Sequence, residues 1–328
     1  MARILTLGES LLRLSTQSGQ RLNNATTLDI VYGGAESNVA VNLAQLGNQV
    51  SYATKLPDNA LSQALTQQLH RFAVDTSKIL YGGERLGCYY LEVGSGLRAS
   101  SVVYDRAHSA IATMTMLEWD LDALFEDVVL FHISGITLAL SPLWHKLGMM
   151  LMREAKRRQI AVSFDMNYRA KLWSYEEAIP VYKEVLPFVD YLSAGRLDAI
   201  HLLEIEDNAN YLERIAQRYP QLIYIYGTHR ETQTPNRYRL QGYIWDVAQR
   251  EYVQSRPYTI DEVIDRVGTG DSYAAGILDG IVHGKKTQDI VEFATASAVL
   301  KHSVFGDVNR FNRSEIENFM HGTSNIVR

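Results

Sequence analysis

From Val128 onward, short apolar runs alternate with segments of helical length, and this alternation constrains the fold more than any other feature. The intervening segments, such as Trp144–Arg158 and Tyr175–Leu186, have the length and apolar spacing of helices. A strand–helix–strand alternation predicts a parallel, doubly wound α/β sheet with helices on both faces. The strand-like runs are Val128–Ser134, Ile160–Asp165, Val189–Ser193 and Leu222–Tyr226.

The N-terminal part predicts a first buried strand and a small separate sheet. Ala2–Gly8 is apolar and ends in glycine. Gly33-Gly34 precedes a predicted helix, Ala35–Leu46, which Gly47 closes. We expect one domain over residues 1–328, with the small sheet inserted at about 10–32 and 86–106. Its predicted strands are Leu11–Ser15, Leu28–Tyr32, Leu86–Val93 and Ser101–Tyr104. Further predicted elements are the strand Gln49–Lys55, the helix Ala60–Phe72, a hairpin in Tyr238–Gln254, and the helices Asp271–Val282 and Asp289–Ser303.

Composition excludes few classes but narrows the setting. The 328 residues suit one large domain, and 46% hydrophobic with 21% charged residues is ordinary for a globular protein. A formal net charge of −5 favours neither nucleic acid nor an anionic membrane as partner. Cys88 is the single cysteine, so no intrachain disulfide can form. We see no signal peptide and no spanning run, and we expect a cytoplasmic protein.

The segment from Asp265 to Asp271 carries the sharpest chemical signal. Gly268 and Gly270 let the backbone approach a ligand, and the following helix points its free N–H groups at the same place. Such a site suits a polyphosphate. A carboxylate there repels phosphate unless it has a role, and accepting a proton from an attacking hydroxyl is such a role for Asp271. Spacing alone leaves open a glycine turn with Asp271 as an ordinary N-cap.

Two motifs in the right order resemble the signatures of the ribokinase-like, or PfkB, family of carbohydrate kinases. Gly268-Thr269-Gly270-Asp271 resembles its C-terminal signature, and Tyr32–Ala40 followed by Leu46-Gly47 resembles its N-terminal one. The resemblance spans nearly the whole chain. It implies a ribokinase-like α/β fold with a mostly parallel sheet and a small β-sheet lid, and the use of ATP with Mg²⁺. It also implies Asp271 as the catalytic base and Gly268, Thr269 and Gly270 as the anion hole.

Within the family, the chain looks most similar to the 2-keto-3-deoxygluconate kinases. The segments that carry this similarity are Gly33–Asn38, Tyr104–Arg106, Ser134–Thr137, Asp165–Arg169, Leu172–Ser174, Lys301-His302 and Gly306-Asp307.

By this resemblance, the sugar site contains residues whose chemistry suits a sugar acid: Gly33, Gly34, Asn38, Tyr89, Tyr104, Arg106, Arg169 and Asp307. Gly34 at a helix start offers backbone donors, and Asn38 one turn later can bind a hydroxyl. Arg106 and Arg169 suit a carboxylate, which a guanidinium binds at two points. Each residue also has a plain structural interpretation: a helix start, a surface ion pair, tyrosine packing, or a loop turn for Asp307.

The nucleotide side departs from the family pattern. Where the family often has Asn-x-x-Glu, this chain has Gly195-Arg196-Leu197-Asp198, and Gly227–Arg230 lacks a later glycine. The resemblance implies Asn167 and Gly227 near ATP. We expect no direct side-chain metal ligand, although Asp198 could act on Mg²⁺ through water.

The leading hypothesis is an ATP-dependent kinase that phosphorylates 2-keto-3-deoxygluconate at O6. Its first alternative is another PfkB kinase, for fructose or 5-keto-2-deoxygluconate. Its second is a catalytically silent sugar-binding sensor, which the changes at Gly195–Asp198 and Gly227–Arg230 favour and the intact Gly-x-Gly-Asp opposes. We expect a small sugar acid as the ligand, neither nucleic acid nor membrane as a partner, and a homo-oligomer that pairs through the lid or is larger.

Overall fold

The computed structural model describes residues 2–96, 98–206, 209–234 and 237–322. Its strands are β1 Arg3–Leu7, β2 Leu11–Ser15, β3 Asp29–Gly33, β4 Gln49–Leu56, β5 Ile79–Tyr81, β6 Gly87–Glu92, β7 Ser101–Asp105, β8 Val128–Ser134, β9 Ala161–Asp165, β10 Tyr191–Ser193, β11 Tyr224–Thr234, β12 Arg237–Asp246, β13 Glu251–Gln254 and β14 Tyr258–Ile260. Its α-helices are α1 Ala35–Gln45, α2 Ala60–Arg71, α3 Leu121–Leu124, α4 Gly135–Leu138, α5 Pro142–Arg157, α6 Tyr175–Val185, α7 Arg196–His201, α8 Tyr211–Arg218, α9 Thr269–Val282, α10 Thr287–Lys301 and α11 Arg313–Met320. Within the described ranges, every helix is too short or too polar to span a bilayer.

The central sheet has the strand order β13-β12-β11-β10-β9-β8-β1-β4-β5, with β14 beside β12. The pairs from β5 through β11 are parallel, and β12, β13 and β14 add antiparallel pairs at one edge. The predicted doubly wound, mostly parallel α/β sheet is therefore confirmed. The strands after Val128 were predicted because each one is a continuous apolar run, as burial on both faces requires.

Neighbouring residues of the central strands pack into different hydrophobic clusters, which shows that helices cover both faces. Leu5 and Phe131 lie in the cluster that contains Trp144 of α5. Ile4 and Leu130 lie in the other cluster, with side chains of α1, α9 and α10. Since successive side chains of a strand point to opposite faces, both faces are buried.

The four strands predicted outside the main body form a separate sheet in the order β3-β2-β6-β7. We call this sheet the lid. Leu11, Tyr89 and Leu91 form an apolar cluster on one of its faces, and Val267 of the main body packs against them. The lid therefore lies directly over the segment that leads into α9.

The main departure from the expected elements is β11. The sequence predicted a strand ending at Tyr226, but β11 runs on to Thr234 and pairs antiparallel with β12. Residues 228–232 are polar and exposed, so no apolar run marks this extension. It forms because β12 supplies hydrogen-bond partners, and that pairing cannot be inferred from local composition. The predicted hairpin in Tyr238–Gln254 corresponds to β12 and β13.

Candidate active site

The carboxyl ends of the parallel strands meet the N-termini of α1 and α9 at one edge of the sheet. β1 leads into Gly8 and Glu9, β8 ends at Ser134, and β9 ends at Asp165. Glu36 connects α1 to the end of β8 and to α4. Its Oε1 accepts hydrogen bonds from the Ser134 backbone N–H at 2.9 Å and from the Thr137 hydroxyl at 2.7 Å. In open α/β sheets, ligands bind at this edge, where the polar termini converge.

The loop before α9 has the geometry of an anion hole. Gly268 is the N-cap of α9 with φ of +79°, a left-handed conformation that disfavours side chains. A Cβ at Gly268 would lie 1.7 Å from the backbone oxygen of Asp307. A Cβ at Gly270 would meet nothing within 4 Å, so the space in front of the helix is open. Free N–H groups therefore face an open space that suits a phosphate.

Asp271 lies in the first turn of α9 and is half-buried. Its Oδ2 accepts a 2.7 Å hydrogen bond from Asn38 Nδ2. The pKa of Asp271 is raised to about 8, mainly by burial and also by the charges of Asp165 and Asp307, while the Asn38 hydrogen bond and Arg169 oppose the rise. The N-cap interpretation of Asp271 is wrong, because Gly268 holds that position and Asp271 follows three residues later. A carboxylate with this pKa suits a general base.

Gly33 and Gly34 bring α1 close to the chain that follows β1. Gly34 has φ of +147°, and a Cβ on it would lie 2.2 Å from the Glu9 backbone oxygen. A Cβ on Gly33 would lie 2.2 Å from Asp307 Oδ2. This crowding allows only glycine, and it places Asn38, one turn into α1, against Asp271. The two signature motifs therefore meet in space.

Tyr89 and Asp307 are buried and bonded to each other. The Tyr89 hydroxyl donates to Asp307 Oδ2 at 2.8 Å, and Arg13 donates to Asp307 Oδ1 at 2.6 Å. Both carboxylate oxygens of Asp307 already accept a hydrogen bond from the protein. The geometry gives Asp307 and Tyr89 a structural role, and their predicted contacts with a sugar stay predictions.

Arg106 changes the substrate argument. It lies directly after β7, is buried, and forms an ion pair with Glu9 through Nε at 2.7 Å and through a second nitrogen. Arg106 is therefore already neutralised by Glu9, so its charge does not by itself require an anionic substrate. The ring of Tyr104 lies 5.9 Å from that of Tyr89 and 5.7 Å from the Arg106 guanidinium carbon. Tyr104 is 36% exposed, so it can reach a ligand.

Asn167 and Arg169 follow β9 on the polar edge. Asn167 has a positive φ of +37°, which asparagine adopts more readily than most residues other than glycine. Arg169 is exposed, and it donates to the carbonyl of its neighbour Tyr168 at 3.1 Å. Its positive charge lowers the pKa values of Asp271 and Asp165, so it faces the same site. Arg169 is thus the more accessible of the two predicted arginines.

Asp165 and Asp198 form the acidic side of the site. The pKa of Asp165 is raised to about 6, mainly by burial and in part by the charge of Asp198. Burial also raises the pKa of Asp198, whose Oδ2 accepts the Gly195 N–H at 2.8 Å. Among the described residues, no group of three or more His, Cys, Asp or Glu could enclose a metal. Two nearby carboxylates fit Mg²⁺ that keeps its waters and is held mainly by phosphates.

Gly227 lies within β11, beside the same edge. A Cβ there would lie 2.5 Å from the Tyr243 hydroxyl, so packing against Tyr243 already requires a glycine. The predicted contact of Gly227 with ATP stays a prediction. A cavity of about 760 Å³ lies between the lid and the β11–β12 hairpin, lined by Arg98, Thr232 and residues 263–267 among others. It ends beside the loop that leads into the anion hole.

Several site residues had no assigned role in the sequence. Asp165 ends a buried strand, and this signal could have identified it. Glu9 follows Gly8 at the end of β1 and could have been found in the same way. Arg13 and Lys301 are almost completely buried. Lys301 lies in a segment that carries the family similarity, but nothing local to a strand Arg or a helix-terminal Lys indicates burial, so only the tertiary structure reveals that both side chains are buried.

Comparison with known proteins gives consistent results. Residues 1–312 match the model for the pfkB family of carbohydrate kinases. A 2-dehydro-3-deoxygalactonokinase of Haloferax volcanii is 31% identical over 98% of this chain and 97% of its own. A 5-dehydro-2-deoxygluconokinase of Clostridium beijerinckii is 27% identical over 88% of this chain and 84% of its own. The crystal structure of 2-dehydro-3-deoxygluconokinase from Thermotoga maritima superimposes with a TM-score of 0.94 at 35% identity, covering 98% of this chain and all of that one.

Proposed function

The chain belongs to the pfkB family of carbohydrate kinases, and we propose that it transfers the γ-phosphate of ATP to O6 of 2-keto-3-deoxygluconate. The observation that carries the proposal is the position of Asp271, whose half-buried carboxylate lies beside an open helix N-terminus and is bonded to Asn38. This arrangement joins a proton acceptor to a phosphate site, as an alcohol kinase requires.

In the proposed reaction, the O6 oxygen attacks the γ-phosphorus while the bond to the β-phosphate oxygen breaks and ADP leaves. Asp271 takes the O6 proton. The backbone N–H groups at Gly268–Asp271 stabilise the charge on the transferred group. Asn38 holds the Asp271 carboxylate in one orientation and favours its ionised form. Proximity and electrostatics, rather than covalent catalysis, supply the rate enhancement.

Magnesium bound to ATP would supply charge neutralisation between the phosphates. Asp165 and Asp198 would hold it, at least partly through water, because carboxylate oxygens suit Mg²⁺ and both groups lie close to Arg169 at the edge that holds Asp271. Packing against Tyr243 already requires a glycine at position 227, and the proposed contact of Gly227 with ATP comes in addition to that packing.

Arg169 is the residue that leads us to propose a sugar acid as the substrate. This guanidinium is exposed at the edge that holds Asp271, where a substrate carboxylate would satisfy it at two points. Arg106 contributes less than the sequence suggested, since Glu9 balances its charge. One relative is named for 2-dehydro-3-deoxygalactonate, which differs from 2-keto-3-deoxygluconate only in configuration. We therefore propose this galactonate as a second candidate substrate. The relative named for 5-dehydro-2-deoxygluconate keeps that kinase as an alternative.

A steady-state assay of ADP release tests this assignment. The panel is 2-keto-3-deoxygluconate, its galactonate epimer, 5-keto-2-deoxygluconate, fructose and ribose at saturating MgATP. We expect kcat/KM for 2-keto-3-deoxygluconate to exceed that for fructose or ribose at least about 10²-fold, which corresponds to roughly 3 kcal/mol. Fructose as the preferred substrate contradicts the sugar-acid assignment and leaves the kinase assignment standing.

The Arg169→Ala variant tests the residue that we propose to select the acid. We expect it to lose most of the preference through a higher KM. Arg71, which is exposed on the last turn of α2, is a matched control, and Arg71→Ala should keep the wild-type ranking. An unchanged ranking in Arg169→Ala removes Arg169 from substrate selection.

The silent sensor makes the opposite prediction. A sensor would bind the sugar acid in calorimetry and release no ADP with any member of the panel. The intact anion hole and the raised pKa of Asp271 favour the kinase.

The cellular location of the protein is not tested by these observations, and the cytoplasm stays a prediction.

A further inference from the structure

Two cations and two carboxylates are buried together behind the anion hole. We call this group the buried quartet; it consists of Arg13, Lys301, Asp265 and Asp307. Their exposed fractions are 1%, 0%, 6% and 2%, and Arg13 and Lys301 are among the largest fully buried side chains of the described residues. The charges balance in number, as expected for groups withdrawn from water. The reaction as proposed above uses neither cation.

Lys301 is the last residue of α10, and its ammonium binds backbone rather than a carboxylate. Nζ donates to the carbonyl oxygens of Asp265 and Val304, each at 3.2 Å. Burial lowers the pKa of Lys301, while the charges of Asp265, Asp307 and Asp271 act to raise it. Arg13 binds both carboxylates, with 2.6 Å contacts to Asp265 and Asp307. Lys301 therefore joins a segment before α9 to a segment after α10.

Both segments form the wall of the anion hole. Asp265 Oδ1 accepts the N–H of Val267 at 3.0 Å, and Asp265 Oδ2 accepts that of Gly306 at 3.1 Å. The backbone oxygen of Asp307 is the atom that crowds the Cβ position of Gly268. The position of the Gly268 turn thus depends on segments 265–268 and 304–307, which the Lys301 ammonium joins.

We propose that Lys301 is a positioning residue for phosphoryl transfer: its ammonium serves as a built-in cation that fixes the two backbone segments on which the anion hole rests. This inference rests on the proposed kinase function, because its effect is the alignment of the phosphate. Lys301 contacts neither the sugar nor ATP in this scheme. The chain carries its own monovalent cation at a place where carbonyl oxygens converge.

The test combines substitution with chemical rescue. Lys301→Ala should lower kcat/KM for MgATP at least about tenfold, and 1-propylammonium, which restores the deleted ammonium, should raise it again in a saturable way. Propanol is the neutral control of similar size. Lys285→Ala, an exposed lysine that follows α9, is the matched control and should behave as wild type. Equal rescue by propanol, or no rescue by the amine, overturns the proposal.

Two further variants separate positioning from folding. Lys301→Met keeps the length of the side chain without its charge, and Lys301→Arg keeps the charge. We expect the arginine variant to retain more activity than the methionine variant, with both thermal unfolding midpoints above the assay temperature. A Lys301→Met variant within twofold of wild type overturns the inference. A loss of activity that only follows the unfolded fraction overturns it as well.

Failure of the inference and failure of the function can be distinguished. The wild type is first assayed on the sugar panel and titrated with MgATP in a calorimeter. A wild type that neither binds MgATP nor releases ADP contradicts the function, and the inference with it. An active wild type with unaffected Lys301 variants contradicts the inference alone.

Discussion

At the scale of single residues, burial makes the Asp271 carboxylate a stronger base than an aspartate in water. An aspartate in water has a pKa near 4, and most such groups are ionised and weakly basic at neutral pH. Burial, together with the charges of Asp165 and Asp307, raises the pKa of Asp271 to about 8. The same residue at the same helix position in the open would be an ordinary first-turn carboxylate that favours the helix dipole.

The Asp271→Asn variant separates catalysis from binding. We expect kcat to fall by about 10²–10⁴ while the dissociation constants for sugar acid and MgATP stay within a few-fold, because an amide of the same shape accepts no proton. Asp289 is three residues beyond the N-cap of α10 and is exposed. Asp289→Asn therefore controls for the loss of a first-turn charge. Near-normal turnover in Asp271→Asn removes it from the mechanism.

The pH dependence of the wild type follows from the same pKa. A general base acts only when ionised, so kcat/KM for the sugar should rise with pH and level off above about 8, with Asp165 titrating lower, at about 6. The Asn38→Ala variant removes a hydrogen bond that favours the ionised form of Asp271. The rise of kcat/KM in this variant should therefore occur at higher pH than in the wild type. Arg169, which also lowers the pKa of Asp271, is present in both the wild type and the variant. If kcat/KM rises at the same pH in both proteins, the role of Asn38 is contradicted.

The contribution of Asp271 to thermal stability should fall as pH rises, whereas kcat/KM should rise. The folded-state pKa of Asp271 lies above its ordinary value, so the folded state binds this proton more tightly than the unfolded state does. The contribution of Asp271 to stability is therefore present at low pH and is lost as pH rises through about 8. We expect Asp271→Asn to have a higher thermal midpoint than wild type at pH 9, and a smaller difference at pH 5. Equal midpoints at pH 9 contradict the raised pKa.

At the scale of elements, the start of α9 is held by one glycine and by the chain opposite. Gly268→Ala meets two costs, a left-handed φ and the Asp307 oxygen 1.7 Å from the new Cβ. We expect the free energy of unfolding to fall by about 1–3 kcal/mol and the KM for MgATP to rise, because the N–H groups shift.

The matched control for Gly268 is Gly284, beyond the end of α9. It has φ of +59°, and a Cβ there would meet nothing within 4 Å. Gly284→Ala should cost about 1 kcal/mol, from the left-handed conformation alone, and leave the KM for MgATP unchanged. Equal effects of the two substitutions on this KM contradict the assignment of Gly268 to the anion hole.

At the scale of the whole molecule, the outer face of the lid is unusually apolar. Leu14 pairs with Ile30 and with Tyr90, and Tyr90 pairs with Val103, so these side chains form one row across four strands. Ile30 is 60% exposed and Val103 is 53% exposed. Exposed contiguous apolar surface on a folded protein is typical of an interface. We expect two copies to pair through this row in a symmetric dimer.

The Val103→Glu variant tests the pairing. We expect the wild type to sediment as a dimer or larger at micromolar concentration and Val103→Glu to sediment as a smaller species, because a charge in the row cannot be buried without a partner. Met116, which is 64% exposed outside the lid, provides the control variant Met116→Glu. A monomeric wild type contradicts the pairing.

Most of the element order and the chemical core of the site could be predicted from the sequence. The apolar runs from Val128 to Tyr226 mark buried strands, and each lies where a central strand was found. Gly268–Asp271 was identified because an anion hole needs adjacent residues with defined backbone requirements. The polar extension of β11 and the short helix α7 were not predicted, since pairing and packing stabilise them rather than their own composition.

What the sequence determined by itself is local: the strand and helix periodicities, the glycines that permit close approach, and a carboxylate next to them. The tertiary structure alone decided which charges meet. Asn38 and Asp271 are 233 positions apart, Arg106 and Glu9 are 97 apart, and Arg13 and Asp307 are 294 apart. The interaction of charges depends on their separation and on the water excluded around them, and both are properties of the folded chain. For this reason the sequence could name Asp271, while the pKa that makes it a base, the neutralised Arg106 and the buried Lys301 follow only from the fold.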